Sequence, residues 1–295
     1  MDQSIEALPI NFNKMYPFVK WAGGKSQLLS RIDTFIPTYF RRYFEPFLGG
    51  GAVFLHTINK NNIHFDAFLS DLNEELINAY IVVKSNVERL IEILIIYEED
   101  YKKSPAKFYY SLRDDAIPHK RNVIERAARF ITLNKTCYNG LYRVNRQGKF
   151  NVPMGRYKNP CICDQGNLRN ISKVLQGSQI HIELGDYKRI LLENAREGDF
   201  IYLDPPYDPM SRTANFTRYT DNGFTDEDQY ELARLFKKLD DRKCMVLLSN
   251  SYTSLVKELY YDFENIKKVN TLRAINSNAL RRMGHTELLI SNYLM

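Results

Sequence analysis

Four consecutive residues, Asp204-Pro205-Pro206-Tyr207, combine groups that can bind a planar amino group. They follow an apolar run over residues 200–203 that is typical of a buried strand. The prolines fix φ and donate no backbone hydrogen bonds, so the neighbouring carbonyls stay available as acceptors. Asp204 and the Pro205 carbonyl can thus hold one NH2 group, while Tyr207 offers a face for a heteroaromatic ring. Alternatively, the prolines only end the strand and Tyr207 packs at its rim.

A glycine-rich turn forms a second group of candidate ligand-binding residues. Glu45-Pro46-Phe47-Leu48-Gly49-Gly50-Gly51 follows a predicted strand and precedes a predicted helix over residues 52–59. In that setting, glycines let the backbone approach a bound nucleoside closely. Asp71 comes about twenty residues later, at the end of the next predicted strand, where a carboxylate can accept from ribose hydroxyls. A tight turn needs glycine whatever it binds, so the spacing to Asp71 is what favours an adenosine-containing cofactor.

Lys25 and Trp21 precede this turn in the chain. Gly24-Lys25-Ser26 resembles the tail of a phosphate-binding loop, but Val19 stands where that pattern requires glycine, so we exclude an NTPase. A lysine just inside a helix start can instead reach a ligand carboxylate. Trp21, the only tryptophan, can cover an adenine or a sulfonium. Packing in the core is an equally open role for it.

The order of apolar runs predicts an α/β fold with a mostly parallel, doubly wound sheet. Five short runs separated by helical patterns are typical of buried strands. They cover residues 43–47, 64–70, 180–184, 200–203 and 245–249. Thr225 and the acids after it predict a capped helix start. A final strand over residues 287–293 would complete the sheet.

The interval between Asp71 and Ile180 has no convincing strand pattern. Helices are predicted over residues 73–97 and 123–136, so we expect a largely helical inserted lobe. Its end, residues 135–158, is rich in Asn, Arg, Tyr, Lys and Gly, which favours a surface that follows phosphates and reads base edges. A solvated loop is the alternative.

Bulk composition predicts a globular protein with a mildly basic surface. The 295 residues are 44% hydrophobic, and 41 Lys plus Arg against 35 Asp plus Glu give a net charge of +6. This excess suits a polyanionic partner without requiring one. The four cysteines show no paired spacing that favours disulfides or structural zinc, so we expect a reduced compartment and no metal. No segment is typical of a signal peptide or a membrane span, so a cytoplasmic location is expected.

Taken in chain order, the motifs resemble those of Dam-type DNA adenine methyltransferases, the D12 family of the alpha class. The resemblance runs over nearly the whole chain. Its motifs are Pro17-Phe18-Val19-Lys20-Trp21-Ala22-Gly23-Gly24-Lys25, Phe44-Glu45-Pro46-Phe47-Leu48-Gly49-Gly50-Gly51, Ser70-Asp71-Leu72-Asn73, Tyr138-Asn139-Gly140-Leu141-Tyr142-Arg143-Val144-Asn145, Phe150-Asn151-Val152-Pro153-Met154-Gly155-Arg156-Tyr157-Lys158, Gly185-Asp186-Tyr187 and the Asp204 tetrapeptide.

The resemblance implies a Rossmann-like core that binds S-adenosyl-L-methionine, with an antiparallel final strand and a helical target-recognition insertion. Residues 1–74 and 175–295 would form the catalytic domain, and residues 75–174 the insertion. Asp204, Pro205, Pro206 and Tyr207 would be catalytic. The expected cofactor residues are Trp21, Lys25, Glu45, Pro46, Phe47, Gly49, Asp71, Asp186, Tyr187 and Asp204.

The implied partner is double-stranded DNA, with GATC as the expected target. In the family's GATC-methylating members, one set of positions faces the recognition sequence, and the matching residues here are Lys20, Leu141, Arg143, Pro153 and Tyr157. Two further positions help to fill the space left by the extruded adenine, and the matching residues here are Tyr138 and Asn139. An arginine such as Arg143 can also read guanine through two hydrogen bonds. Arg156 and Lys158 are expected to meet phosphates.

The expected reaction transfers a methyl group to the 6-amino group of an adenine flipped out of the duplex. The polar stretch 208–224 is expected to order over DNA. Rival interpretations are a methyltransferase acting on RNA or a protein amide, and a DNA-binding regulator that has lost catalysis. A solitary enzyme and the modifying half of a restriction system are both open, and a monomer is the expected state.

Overall fold

One sheet, with β4 at its centre, contains every strand of the described residues. In this computed structural model the described residues are 14–61, 65–115, 122–206, 224–263, 265–271 and 285–294. The strands are β1 (Arg42–Glu45), β2 (Asp66–Asp71), β3 (Ile180–Leu184), β4 (Phe200–Leu203), β5 (Met245–Ser251), β6 (Asn265–Thr271) and β7 (His285–Ser291). Their order across the sheet is β3-β2-β1-β4-β5-β7-β6.

The first five strands are parallel, and β7 runs antiparallel to both of its neighbours, β5 and β6. This confirms the predicted doubly wound α/β sheet with an antiparallel final strand. The final strand lies two residues earlier than the predicted 287–293. β6 was not predicted, because it is an edge strand in which Lys267 and Lys268 interrupt the apolar pattern that marks a buried strand.

Helices fill the intervals between strands. They are α1 (Leu29–Ile32), α2 (Ala52–Asn61), α3 (Glu74–Ser85), α4 (Val87–Lys103), α5 (Pro105–Arg113), α6 (Val123–Thr136), α7 (Gln165–Leu175), α8 (Tyr187–Asn194), α9 (Asp226–Asp241) and α10 (Ser254–Leu259). The predictions of α6 and of a capped helix start at Thr225 are confirmed, and Thr225 with Asp228 forms a capping box. The single helix predicted over 73–97 is wrong. Asn86, at φ −142°, leaves the helical conformation and divides it into α3 and α4.

Two hydrophobic cores cover the two faces of the sheet. Alternate residues of each strand point to opposite faces, so Tyr43 joins one core and Phe44 the other. The first core contains residues of α2, α3, α4 and α6, and the second contains residues of α8, α9 and α10. The helices of the 75–174 interval therefore share a continuous core with the sheet.

Candidate active site

The carboxyl ends of β1 and β4 meet at the point where the chain changes direction across the sheet. From β1 the chain continues to β2 and β3 on one side, whereas β4 leads to β5 on the other. In open parallel sheets, ligands bind in the crevice outside such a switch point. The last residue of β1 is Glu45 and that of β2 is Asp71, while Asp204 directly follows β4. The strands thus bring the predicted carboxylates to one edge of the sheet.

A buried lysine connects two carboxylates at this edge. The Nζ of Lys25 lies 2.7 Å from Oδ1 of Asp204 and 3.8 Å from Oε2 of Glu287, and it donates to the Gly23 carbonyl at 2.7 Å. The side chain of Lys25 is 3% exposed and that of Asp204 is 20% exposed. The ammonium group therefore holds the Asp204 carboxylate in place while leaving part of it accessible.

Glu287 is a residue of this site that sequence reasoning missed. It lies on β7 beside Ser251 of β5 and is buried. The signal was present, because an acidic residue directly before the apolar Leu288, Leu289 and Ile290 is unusual in a buried strand. A carboxylate in such a place needs a partner, and Lys25 supplies it.

Asp71 determines the shape of the glycine-rich turn after β1. Its Oδ2 accepts from the amide of Gly49 at 3.0 Å, and its Oδ1 accepts from the amide of Asn73 at 2.9 Å. Burial raises the pKa of this carboxyl, and the backbone donors oppose the rise. A carboxylate oxygen has two acceptor sites, so Asp71 can also accept from a ligand hydroxyl.

Gly49 is required for a close contact as well as for its backbone conformation. Its φ is +48°, and a Cβ built on it would stand 2.5 Å from Cδ1 of Trp21. The indole ring therefore lies directly over the turn, and any side chain at Gly49 would displace it.

We expect Gly49→Ala to weaken binding of S-adenosylmethionine, the cofactor implied by the resemblance, at least about tenfold, a loss of about 1.4 kcal/mol. The matched control is Gly148→Ala, since Gly148 also has a positive φ of +72° but a Cβ there meets nothing within 4 Å. Both variants carry backbone strain of about 1–3 kcal/mol, and only the first displaces Trp21. Titration calorimetry of both measures the difference, and equal affinities would contradict the placement of Trp21.

Glu45 is held inside the protein by two groups of the chain. Its Oε2 accepts from the hydroxyl of Tyr43 at 2.7 Å and from the amide of Phe54 at 3.0 Å. Burial raises its pKa to about 8, and the nearby Asp204 charge adds to the rise, while Tyr43 and Phe54 oppose it. The carboxyl thus holds a proton near neutral pH.

Glu45→Gln is expected to change how stability depends on pH. The folded-state pKa of Glu45, about 8, lies above its ordinary value of 4.5, so unfolding releases a proton between these limits and stability is lost as pH rises through them. The Gln variant has no carboxyl at this position, so its unfolding does not release this proton. Relative to the unchanged protein, its free energy of unfolding should improve by up to about 1.4 kcal/mol per pH unit from pH 5 to 8.

Urea denaturation at several pH values measures that difference. Glu197→Gln is the control, because it makes the same change at a side chain that is 69% exposed. A pH-independent difference for Glu45→Gln would show that its carboxyl titrates normally.

Aromatic rings close one side of the candidate site. The ring of Phe47 lies 4.8 Å from that of Tyr187 and 6.3 Å from that of Phe224. The Tyr187 hydroxyl is buried without a hydrogen-bond partner in the described part of the chain. Asp186 caps α8, and its Oδ1 accepts from the amide of Lys188 at 2.9 Å. The three rings and the buried Pro46 form an apolar surface. The Tyr187 hydroxyl and the Asp186 carboxylate are the polar groups next to it.

Trp21 packs against aromatic residues as well as lying over the turn. Its ring is stacked on that of Tyr142, with centroids 6.2 Å apart and planes 21° apart, and lies 6.5 Å from that of Phe130. It remains half-buried. Both roles left open for Trp21, core packing and ligand cover, are therefore compatible with its position.

Residues 137–158 form a hairpin. Its two arms are paired by antiparallel β-bridges, one between Cys137 and Met154 and one between Val144 and Phe150. The tip turns at Asn145, whose side chain accepts from the amide of Lys149. Five of the predicted DNA-binding residues on the hairpin are exposed, namely Tyr138, Arg143, Pro153, Arg156 and Lys158, while Asn139, Leu141 and Tyr157 are half-buried. The predicted DNA-binding residues thus share one structural unit, in which Nε of Arg143 donates to the side chain of Asn151 at 2.7 Å.

Lys20 joins this hairpin from a distant part of the chain. Its amide donates to Oδ1 of Asn134 and its carbonyl accepts from Nδ2 of the same side chain, each at 2.7 Å. Its Nζ lies 3.7 Å from the centre of the Tyr157 ring, and burial lowers the pKa of its ammonium group. A Cβ on Gly140 would stand 2.4 Å from Cβ of Lys20, so only glycine allows this approach.

Some expectations lie outside the described residues. Tyr207, with its predicted ring face, and residues 208–223 of the predicted DNA-covering segment are among these. Within the described ranges, no cluster of three or more His, Cys, Asp or Glu side chains is arranged to hold a metal ion. No helix in those ranges is both long and apolar enough to cross a bilayer.

Comparison with known proteins places the chain among DNA-modifying enzymes. Residues 21–275 match the family model described as D12 class N6 adenine-specific DNA methyltransferase. The Type II methyltransferase M.MjaIII of Methanocaldococcus jannaschii is 46% identical over 94% of this chain and 99% of its own length. The Type II methyltransferase M1.LlaDCHI of Lactococcus lactis subsp. cremoris is 43% identical, covering 94% and 95%. The DNA adenine methylase of Escherichia coli K12 is 36% identical, covering 92% and 93%.

Among solved structures, the chain described as delta-N METTL16 MTase domain aligns with 91% of this chain and 81% of its own length. Its sequence is 8% identical and its TM-score is 0.37, so the likeness supports no inference.

Proposed function

We propose, from the premise that this chain belongs to the family of D12 class N6 adenine-specific DNA methyltransferases, that it methylates a flipped adenine within GATC. The family makes it an enzyme whose substrate is DNA and whose methyl donor is S-adenosylmethionine. The proposal rests chiefly on one observation. A carboxylate after the central strand, Asp204, is held 2.7 Å from the buried ammonium of Lys25 at the switch point of the sheet.

The residues at the sheet edge fit S-adenosylmethionine. Asp71 has acceptor capacity for ribose hydroxyls, and Phe47 with Tyr187 forms a wall for a purine. The unpartnered Tyr187 hydroxyl is a buried donor that a ligand can satisfy. Trp21 and Lys25 complete the cofactor set, with Glu45, Pro46 and Asp186 supporting it. The cofactor supplies an electrophilic methyl group on a sulfonium.

Asp204 has the main catalytic role in this proposal. Its carboxylate and the Pro205 carbonyl accept hydrogen bonds from the adenine NH2 group, which favours a pyramidal nitrogen and turns the lone pair out of the ring. The nitrogen gains positive charge only as the new bond forms, so its proton can leave afterwards and Asp204 need not be a strong base. Pro206 stiffens this turn, and Tyr207 is proposed to stack on the adenine.

The hairpin is proposed to read the target, with residues 75–174 as the recognition unit and residues 1–74 and 175–295 as the catalytic one. A stacked base is out of reach of the site, so the adenine must leave the helix. Support for GATC comes from the residue types at the positions that the family's GATC-methylating members use, which are Lys20, Leu141, Arg143, Pro153 and Tyr157. Tyr138 and Asn139 are proposed to fill the vacated space, and Arg156 and Lys158 to bind phosphates.

Expression in a bacterial host without adenine methylation tests the target. Sequencing that detects N6-methyladenine in single molecules should find the mark at GATC sites and nowhere else. Methylation at a longer motif containing GATC, or at an unrelated one, would overturn the GATC assignment while leaving the reaction intact.

A further inference from the structure

We propose that Tyr142 is a positioning residue that couples target reading on the hairpin to cofactor binding at the sheet edge. The inference rests on the proposed function. Tyr142 lies between Leu141 and Arg143, which are proposed to face DNA, yet its ring is stacked on Trp21, 6.2 Å between centroids.

Two neighbouring residues on this arm of the hairpin differ in exposure. Arg143 is exposed, whereas Tyr142 is half-buried and packs against the core. The amide of Asn151 on the other arm donates to the Arg143 carbonyl at 3.0 Å. Fixing Arg143 on a base therefore fixes the backbone that carries the Tyr142 ring.

The Tyr142 ring contacts two further aromatic rings on the core side. Its centroid lies 5.6 Å from that of Phe130 on α6 and 5.8 Å from that of Phe150 on the other arm. Ring pairs at these separations attract one another. These ring contacts form a continuous path from the arm to Trp21, beside a cavity that Tyr142, Phe130 and Phe150 also line.

Trp21 completes the connection to the cofactor site. Its ring lies over Gly49, whose amide donates to Asp71. Contacts thus run without a break from Arg143 through Tyr142 and Trp21 to the turn that is proposed to bind the cofactor. Packed side chains of this kind can carry coupling between two sites, and a change in mutual affinity demonstrates it.

The test measures the affinity of the full-length protein for S-adenosylhomocysteine by calorimetry, alone and with a GATC duplex. Because linkage is reciprocal, DNA that is read correctly should tighten cofactor binding by at least about fivefold, and a scrambled duplex should not. We expect Tyr142→Leu to reduce this ratio below about twofold, and Tyr142→Phe, which keeps the ring, to retain it. Fluorescence of Trp21, the only tryptophan, reports the same coupling. Adding the GATC duplex should change this fluorescence in the unchanged protein and in Tyr142→Phe, but not in Tyr142→Leu.

Tyr110→Leu is the control, because Tyr110 is a partly exposed tyrosine that contacts Tyr109 and Arg113 on α5. It should keep the full ratio. Absence of coupling in the unchanged protein, or an unaltered ratio in Tyr142→Leu, would overturn the inference. Methyl transfer to the GATC duplex is measured with the same preparation of unchanged protein. No transfer would mean that the proposed function fails, whereas transfer without coupling would mean that only the inference about Tyr142 fails. If Tyr142→Leu does not fold, Tyr142→Met, which fills the volume without a ring, decides the question.

Discussion

Asp204→Ala should reduce methyl transfer to DNA by at least about a thousandfold, the upper range for losing one preorganised electrostatic contact to the reacting group. The carboxylate is the group proposed to accept from the adenine NH2, and it directly follows the central strand β4. Removing it leaves Lys25 with Glu287 as a counterion at 3.8 Å, so the variant should fold. Single-turnover transfer of labelled methyl measures the effect.

The controls separate chemistry from binding. A duplex with 2-aminopurine at the target position should still brighten with Asp204→Ala, because binding and base extrusion do not need the carboxylate. Glu197→Ala, an exposed carboxylate before the start of β4, should keep full activity. Substantial methylation by Asp204→Ala would remove Asp204 from the mechanism.

Lys25→Met should be the most destabilising substitution at the site and should also abolish most activity. It keeps the apolar stem but removes the cation that lies between the buried Glu287 and the partly accessible Asp204. Removing one partner of a buried ion pair costs about 3–5 kcal/mol. The free energy of unfolding, measured in urea at pH 7, should fall by that amount.

Lys60→Met provides the comparison. Lys60 pairs with Asp33 at 2.9 Å, but its side chain is 46% exposed, so its loss should cost no more than about 1 kcal/mol. Equal losses for the two variants would mean that burial at Lys25 has no energetic consequence.

Local signals predicted the strands that carry the site. Phe200 to Leu203 is a short apolar run closed by prolines, so both the bounds of β4 and the place of Asp204 followed from neighbouring residues. The place of Asp71 at the end of the second strand was predicted in the same way, and it is the last residue of β2. Its hydrogen bond from the amide of Gly49 at 3.0 Å was not predicted.

Contacts between distant segments were not predictable in this way. The pairing of Lys25 with Glu287 depends on β7 entering the sheet beside β5, which no local pattern specifies. The stacking of Tyr142 on Trp21 depends in the same way on how the hairpin packs. The break at Asn86 was missed because the residues on both sides favour helix, and β6 was missed because its lysines suit an exposed edge.

Transfer of labelled methyl from S-adenosylmethionine to two short duplexes tests the central claim most directly. One duplex contains GATC and the other has the same bases in scrambled order. We predict label in the GATC duplex alone, present with the unchanged protein and lost with Asp204→Ala. Equal labelling of both duplexes would contradict the target assignment, and no labelling of either would contradict the proposed function.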